Sequence, residues 1–281
     1  MRYIKRTAKI AIMLLAVALL FSVMTFADAK QTAANTIPPG ENFDTTRVET
    51  GTVGARYVPA EEKRIKTRVQ NTDKTYDYDL FGRENFEYFP LQMGNGNYQV
   101  SVFENITGTR YRQVKNKSFK AEIKNPLDVF LATIQTVNWN PDMKVIKKAA
   151  ELTKGLKTDK EKITAIYNFV VDYFSYDYDK VKNVPTTYVP DIEEIYKIKK
   201  GICYDYSAVF AAMLRSQGIP AKLIKGYTDL VEGYHAWNEV YLADEDRWMV
   251  IDTTYDSCMK KAKKKFTMEK DSKKYYPAKE F

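Results

Sequence analysis

The sequence predicts an α+β protein: a small antiparallel, sandwich-like β-domain followed by helices packed on a second antiparallel sheet. Three observations carry this expectation. From Ile65 to Lys124 apolar and polar residues alternate with the period of half-buried strands. From Asp142 to Phe174 the apolar spacing changes to three and four, the period of a helix face. After Pro220, three strand-like runs follow one another with short turns between them. These divide the chain into a leader (1–29), a linker (30–60), a β-domain (61–126), a second domain with its leading helices (127–257) and a basic tail (258–281).

The leader has the layout of a secretory signal. Arg2, Lys5, Arg6 and Lys9 form a positive start, Ile10 to Phe21 is uninterruptedly apolar, and Ala27-Asp28-Ala29 places small residues at the recognition positions before Lys30. The apolar run is short for a membrane span, so no stable span is expected after cleavage. No cysteine follows it as a lipid anchor. The linker contains Pro38-Pro39-Gly40 and few large apolar residues. In the β-domain, Asn95-Gly96 before the alternation Tyr98, Val100, Val102 reads as a hairpin turn, and Thr107-Gly108 as another. Asp142 to Leu152 is expected as a helix. Thr158-Asp-Lys-Glu161 opens a longer one with a capping box, carrying Ile163, Ile166, Tyr167, Val170 and Val171 on one side. Asp191 to Lys197 is a short third helix.

With 281 residues, 44% of them apolar and 28% charged, the chain can build a real core and is not a disordered one. The net charge of +8 is concentrated at the end: residues 260–281 hold nine lysines against Glu269, Asp271 and Glu280. A solvated terminus is the plain expectation, with adhesion to an anionic cell-envelope polymer the sharper one. Nucleic acid is a poor partner for an exported protein. Cys203 and Cys258 are the two cysteines, and one histidine in the chain speaks against a Cys/His zinc site. The sequence shows no calcium loop, phosphate loop or dinucleotide fingerprint, and no cofactor is expected.

The residues suited to chemistry come late. Gly201-Ile202-Cys203 precedes a helical run from Tyr204 to Gln217, closed by Gly218 and Pro220. A cysteine at a helix N-terminus meets free N–H groups and the positive end of the dipole, which favour the thiolate. A strand over Ala221–Tyr227 is followed by His235–Leu242 and Arg247–Asp252, two runs joined at Ala243–Asp246. A hairpin symmetric about the Ala243–Asp244 bond sets His235 opposite Asp252; a slip of two residues leaves them diagonal neighbours still in reach. An aspartate beside a histidine orients the ring and leaves its other nitrogen to take a thiol proton. A catalytic sulfur needs an open face, so two free thiols are expected rather than a Cys203–Cys258 disulfide.

The blocks Gly201-Ile-Cys203-Tyr-Asp-Tyr-Ser-Ala208, Leu214-Arg-Ser-Gln-Gly-Ile-Pro220, His235-Ala-Trp-Asn-Glu239 and Trp248-Met-Val-Ile-Asp252-Thr-Thr254 resemble, in order and spacing, those of the bacterial transglutaminase-like family. The resemblance covers about residues 160–257. It implies a papain-like core with Cys203 as nucleophile, His235 as general base and acid, and Asp252 as orienter. It also implies acyl transfer from a protein or peptide amide through a thioester. Water as acceptor gives a hydrolase, the preferred expectation; a lysine amine gives a cross-linking transamidase. A non-catalytic envelope-binding module on the same fold is the alternative from another class. For the second oxyanion donor, Tyr176 and Tyr188 are equal candidates.

Overall fold

The computed structural model describes residues 40–281. The expected leader and the expected linker up to residue 39 lie outside the described residues. The N-terminal part is all strand: β1 (Phe43–Asp44), β2 (Thr52–Ala55), β3 (Ile65–Gln70), β4 (Thr75–Asp79), β5 (Glu87–Pro90), β6 (Gly96–Thr107) and β7 (Arg110–Ala121). Two antiparallel sheets result, one in the order β1-β2-β5 and one in the order β4-β3-β6-β7. The alternation in the sequence sets their inner faces: Ile65, Thr67 and Val69 of β3 and Tyr98, Val100 and Val102 of β6 are buried.

Two expectations need correction here. Part of the expected linker is folded, because Phe43, Val48, Val53 and Ala55 supply enough apolar surface to bury β1 and β2. Asn95-Gly96 is not a hairpin turn between paired strands. β5 and β6 belong to different sheets, and the chain crosses between them there, with the Asn95 carboxamide oxygen accepting the Ile123 N–H at 2.7 Å. Thr107-Gly108 does close a hairpin, with Thr107 opposite Arg110 and Gly108 in the left-handed region at φ 53°.

The second half contains α1 (Lys144–Thr153), α2 (Asp159–Tyr173), β8 (Ser175–Tyr176), α3 (Ile192–Ile198), β9 (Lys200–Gly201), α4 (Cys203–Arg215), β10 (Ala221–Thr228), β11 (Val231–Leu242), β12 (Arg247–Ile251), α5 (Thr253–Lys261) and β13 (Tyr275–Glu280). The box expected before α2 is present: Thr158 Oγ1 accepts the Glu161 N–H at 3.2 Å, and Glu161 returns the bond to the Thr158 N–H at 2.9 Å. α4 is buried on all sides from Tyr204 to Arg215, as a helix without a polar face must be. α1, α2, α3 and α5 surround it, and β10 and β11 cover its remaining side. The sheet runs β12-β11-β10-β13. Among the described residues, no helix is long and apolar enough to cross a membrane.

Residues 258–281 are not a free basic tail. α5 continues through Lys261, Lys270 is buried in an ion pair with Asp256 at 2.5 Å, and β13 adds an edge strand to β10. The buried Arg215 donates to the carbonyls of Ala132, Ala221 and Phe281, pinning the last residue to the end of α4. Phe281 also packs edge-on against Tyr76 and Tyr78 of β4, so the core is continuous from the first sheets into the helical layer. The lysines masked an apolar skeleton of Phe266, Met268, Tyr275 and Phe281.

Candidate active site

The start of α4 is built before its chemistry. Gly201 pairs with Tyr176 in the two-residue parallel ladder of β8 and β9, which brings Tyr176 to the N-terminus of the helix. A Cβ on residue 201 would lie 2.6 Å from the Cβ of Asp205, closer than atoms can approach, so only glycine allows the helix to begin here. Asp205, fully buried, accepts the Ile202 N–H at 2.8 Å and the Lys180 ammonium at 2.6 Å on one oxygen. Its other oxygen accepts the Tyr188 hydroxyl at 2.5 Å. This lock places the half-buried Cys203 as the first residue of α4, where backbone N–H groups have no intrahelical partner.

His235 sits in β11 and is 4% exposed. Its Cα partner on β10 is Gly226, where a side chain would strike the Tyr276 carbonyl at 2.2 Å and the Trp237 ring at 2.9 Å. The β11–β12 register differs by two residues from the symmetric expectation. Leu242 faces Arg247 and Asn238 faces Ile251, because the turn uses Ala243–Asp246 with Asp246 at φ 47°. Asp252 therefore lies diagonal to His235, just past β12, where it caps α5 by accepting the Tyr255 N–H at 3.0 Å on Oδ1. The reach survives: His235 Nε2 is 2.8 Å from Asp252 Oδ2.

With Nε2 committed to Asp252, Nδ1 is the ring nitrogen left free, and the Cys203 thiol lies near enough to help raise the pKa of the imidazole. Burial alone would lower the His235 pKa. The charge and hydrogen bond of Asp252, joined by the nearby Cys203, outweigh it and push the ring up to about 10. The three residues singled out from the sequence are thus in one line, from helix start to strand to helix cap.

Two tyrosines complete the setting. Tyr275, in the segment taken for a tail, donates its hydroxyl to Asp252 Oδ2 at 3.1 Å and stands edge-on to Trp237 at 5.0 Å. Proximity to Asp252, added to burial, raises its own pKa. No motif pointed to Tyr275; an aromatic pair in a lysine-rich stretch was the only available signal. The structure also separates the candidate oxyanion donors. Tyr188 is engaged by Asp205 and Lys180, whereas the half-buried Tyr176 lies close enough to Cys203 and Cys258 for both to raise its pKa, behind burial itself. Cys203 and Cys258 are both free, and burial raises the pKa of the Cys258 thiol.

Part of the chain is similar to known proteins. Residues 146–253 match the sequence model of the Transglutaminase-like superfamily. The uncharacterized protein YebA of Bacillus subtilis is 25% identical over 124 residues, 38% of this chain. That stretch spans only 17% of YebA's own length. Among solved structures, the periplasmic domain of TgpA from Pseudomonas aeruginosa, bound to ethylmercury, is 16% identical with a TM-score of 0.40, covering 79% of this chain and 98% of that one. Red sea bream transglutaminase is 12% identical with a TM-score of 0.31, covering 72% of this chain and 48% of that one. Residues 146–253 are thus similar to the core domain of the Transglutaminase-like superfamily.

Proposed function

We propose that this protein is an exported cysteine hydrolase that cleaves protein or peptide amides through a thioester on Cys203. The observation that carries the reading is the set Cys203, His235, Asp252, with His235 Nε2 held 2.8 Å from Asp252 and the Cys203 thiol near enough to act on the same imidazole. In the first half-reaction Sγ attacks the amide carbon while His235 takes the thiol proton. The C–N bond then breaks, and His235 passes that proton to the departing amine. In the second, His235 takes a proton from water as the oxygen attacks the thioester, and returns it to sulfur as the acid leaves. The charge on the carbonyl oxygen is met by the Cys203 N–H at the head of α4, with the Tyr176 hydroxyl as second donor. Export, and a place outside the cytoplasm or at the cell surface, rests on the basic-apolar-small layout of residues 1–29.

The test is labelling with an electrophilic probe followed by a peptide-library digest, with and without added amine. The reading expects one label, on Cys203, and cleavage that does not need the amine. Amine incorporation in place of cleavage would make the protein a transamidase. Absence of any label would leave a binding module.

A further inference from the structure

A recess of 210 Å³, with Tyr204 in its wall, lies between the β4 edge, the segment Thr186–Val189 and the β10–β13 pair. Ligand pockets typically run from about 300 Å³ upward, so this one suits a single side chain or chain end. Two lysines line it, Lys225 of β10 and Lys279 of β13. They are directly opposite each other in the ladder, an arrangement of like charges that weakens a sheet. Among the described residues neither has an ion-pair partner.

That contrasts with three other lysines of this half of the chain that are buried or part-buried. Lys222, three residues earlier on β10, is flanked by Glu239 at 3.3 Å and Glu280 at 3.2 Å. Lys180 is held by Asp205 at 2.6 Å and Lys270 by Asp256 at 2.5 Å. Lys225 instead lays its ammonium 3.3 Å from the centre of the Tyr204 ring. The two acids on the opposite wall do not serve it. Asp77 is clamped by Arg68, and Asp79 by Arg64, each through two bonds of 2.6 and 2.9 Å. The recess therefore presents two lysines without an ion-pair partner, together with Thr186, Thr187 and Tyr234, to whatever enters.

We propose that this recess is a specificity subsite that takes a carboxylate of the substrate next to the scissile amide, held by Lys225 and Lys279. The inference rests on the proposed acyl-transfer reading of Cys203 and names the substrate class it would select. The site is near the nucleophile: Tyr204, in its wall, follows Cys203 in α4, and the charge of Cys203 acts on Lys225. Burial and, after it, the charge of Lys279 bring the Lys225 pKa down to about 7, so an entering carboxylate removes a cost the fold now bears. The carboxylate can be an Asp or Glu side chain or the free end of a peptide.

The test separates binding from turnover. Fluorescein-labelled peptides carrying Glu or Gln at each position in turn, and free-acid or amide C-termini, are titrated against the full-length Cys203→Ala protein by fluorescence polarisation. One acidic series should bind about tenfold tighter than its neutral counterpart, and which series does so distinguishes side chain from chain end. Lys225→Met, and separately Lys279→Met, should reduce that advantage to about twofold or less while leaving the neutral peptide's affinity in place. Equal or undetectable binding of acidic and neutral peptides, or a preference surviving in both variants, overturns the proposal. Turnover of the same peptides by the wild type tests the other reading: acid-selective binding without any acyl transfer keeps the subsite and removes the hydrolase, and transfer without selectivity does the reverse.

Discussion

Replacing Asp252 by Asn probes the site with the least change in shape. Oδ1 still accepts the Tyr255 N–H, so the cap of α5 persists. The damage falls on Oδ2, which accepts from both His235 Nε2 and the Tyr275 hydroxyl. An amide NH₂ there faces two donors and turns the imidazole into the wrong tautomer. The rise of the His235 pKa from 6.5 to about 10 corresponds to about 5 kcal/mol of preference for the imidazolium, at about 1.36 kcal/mol per tenfold. Cys203 supplies a share of that preference. The loss of the Asp252 charge should then cost about 3–4 kcal/mol in the transition state, a fall in kcat on the order of 10²–10³. Far- and near-ultraviolet circular dichroism should overlay the wild type, and the fall should appear in kcat with KM little changed. An Asp252→Asn protein with intact dichroism and wild-type kcat would refute the role given to Asp252.

Tyr275→Phe keeps the ring on Trp237 and removes one donor from Asp252; with a hydrogen bond to a charged group worth about 1.5–3 kcal/mol, kcat should drop roughly tenfold, and rescue is expected from no phenylalanine-compatible change at Trp237. Gly201→Ala forces its Cβ against the buried Asp205 and should cost about 1–3 kcal/mol, read as a lower urea midpoint together with slower labelling of Cys203. In a Cys203→Ala protein, where the thiol no longer titrates, the Asp252-raised His235 pKa binds a proton in the folded state that the unfolded state releases near 6.5. This stability is complete below pH 6.5 and is lost as pH rises towards the folded value, so across that window the urea midpoint of Cys203→Ala should fall relative to that of Cys203→Ala/His235→Ala, which carries every other titration, Lys225 included.

The site was legible because its residues announce themselves locally. A glycine two residues before a cysteine at a helix start, a lone histidine within a strand and an aspartate just after the next one each carry a pattern that survives without coordinates. What failed were matters of length and composition. The hairpin at Ala243–Asp246 has a four-residue turn with a left-handed Asp246, so symmetry about a two-residue centre missed the register by two. The diagonal reach of a histidine absorbed that error. Lysines outnumber the apolar residues of 260–281, and an average over that stretch hides Tyr275 and Phe281, which the fold buries. β1 and β2 were hidden in the same way among threonines and glycines. Pairing across long sequence separation, such as β13 on β10, leaves no periodic trace in either strand taken alone.

The central claim is that Cys203 works as a nucleophile activated by His235. The most direct measurement is the rate of iodoacetamide alkylation of Cys203 against pH, followed by peptide mass spectrometry, in the wild type and in His235→Ala. The account predicts rapid alkylation of Cys203 by the wild type at pH 6 to 7 and a much slower reaction in His235→Ala that recovers only as pH rises towards the free-thiol value of about 8.5. Superimposable profiles for the two proteins would contradict it.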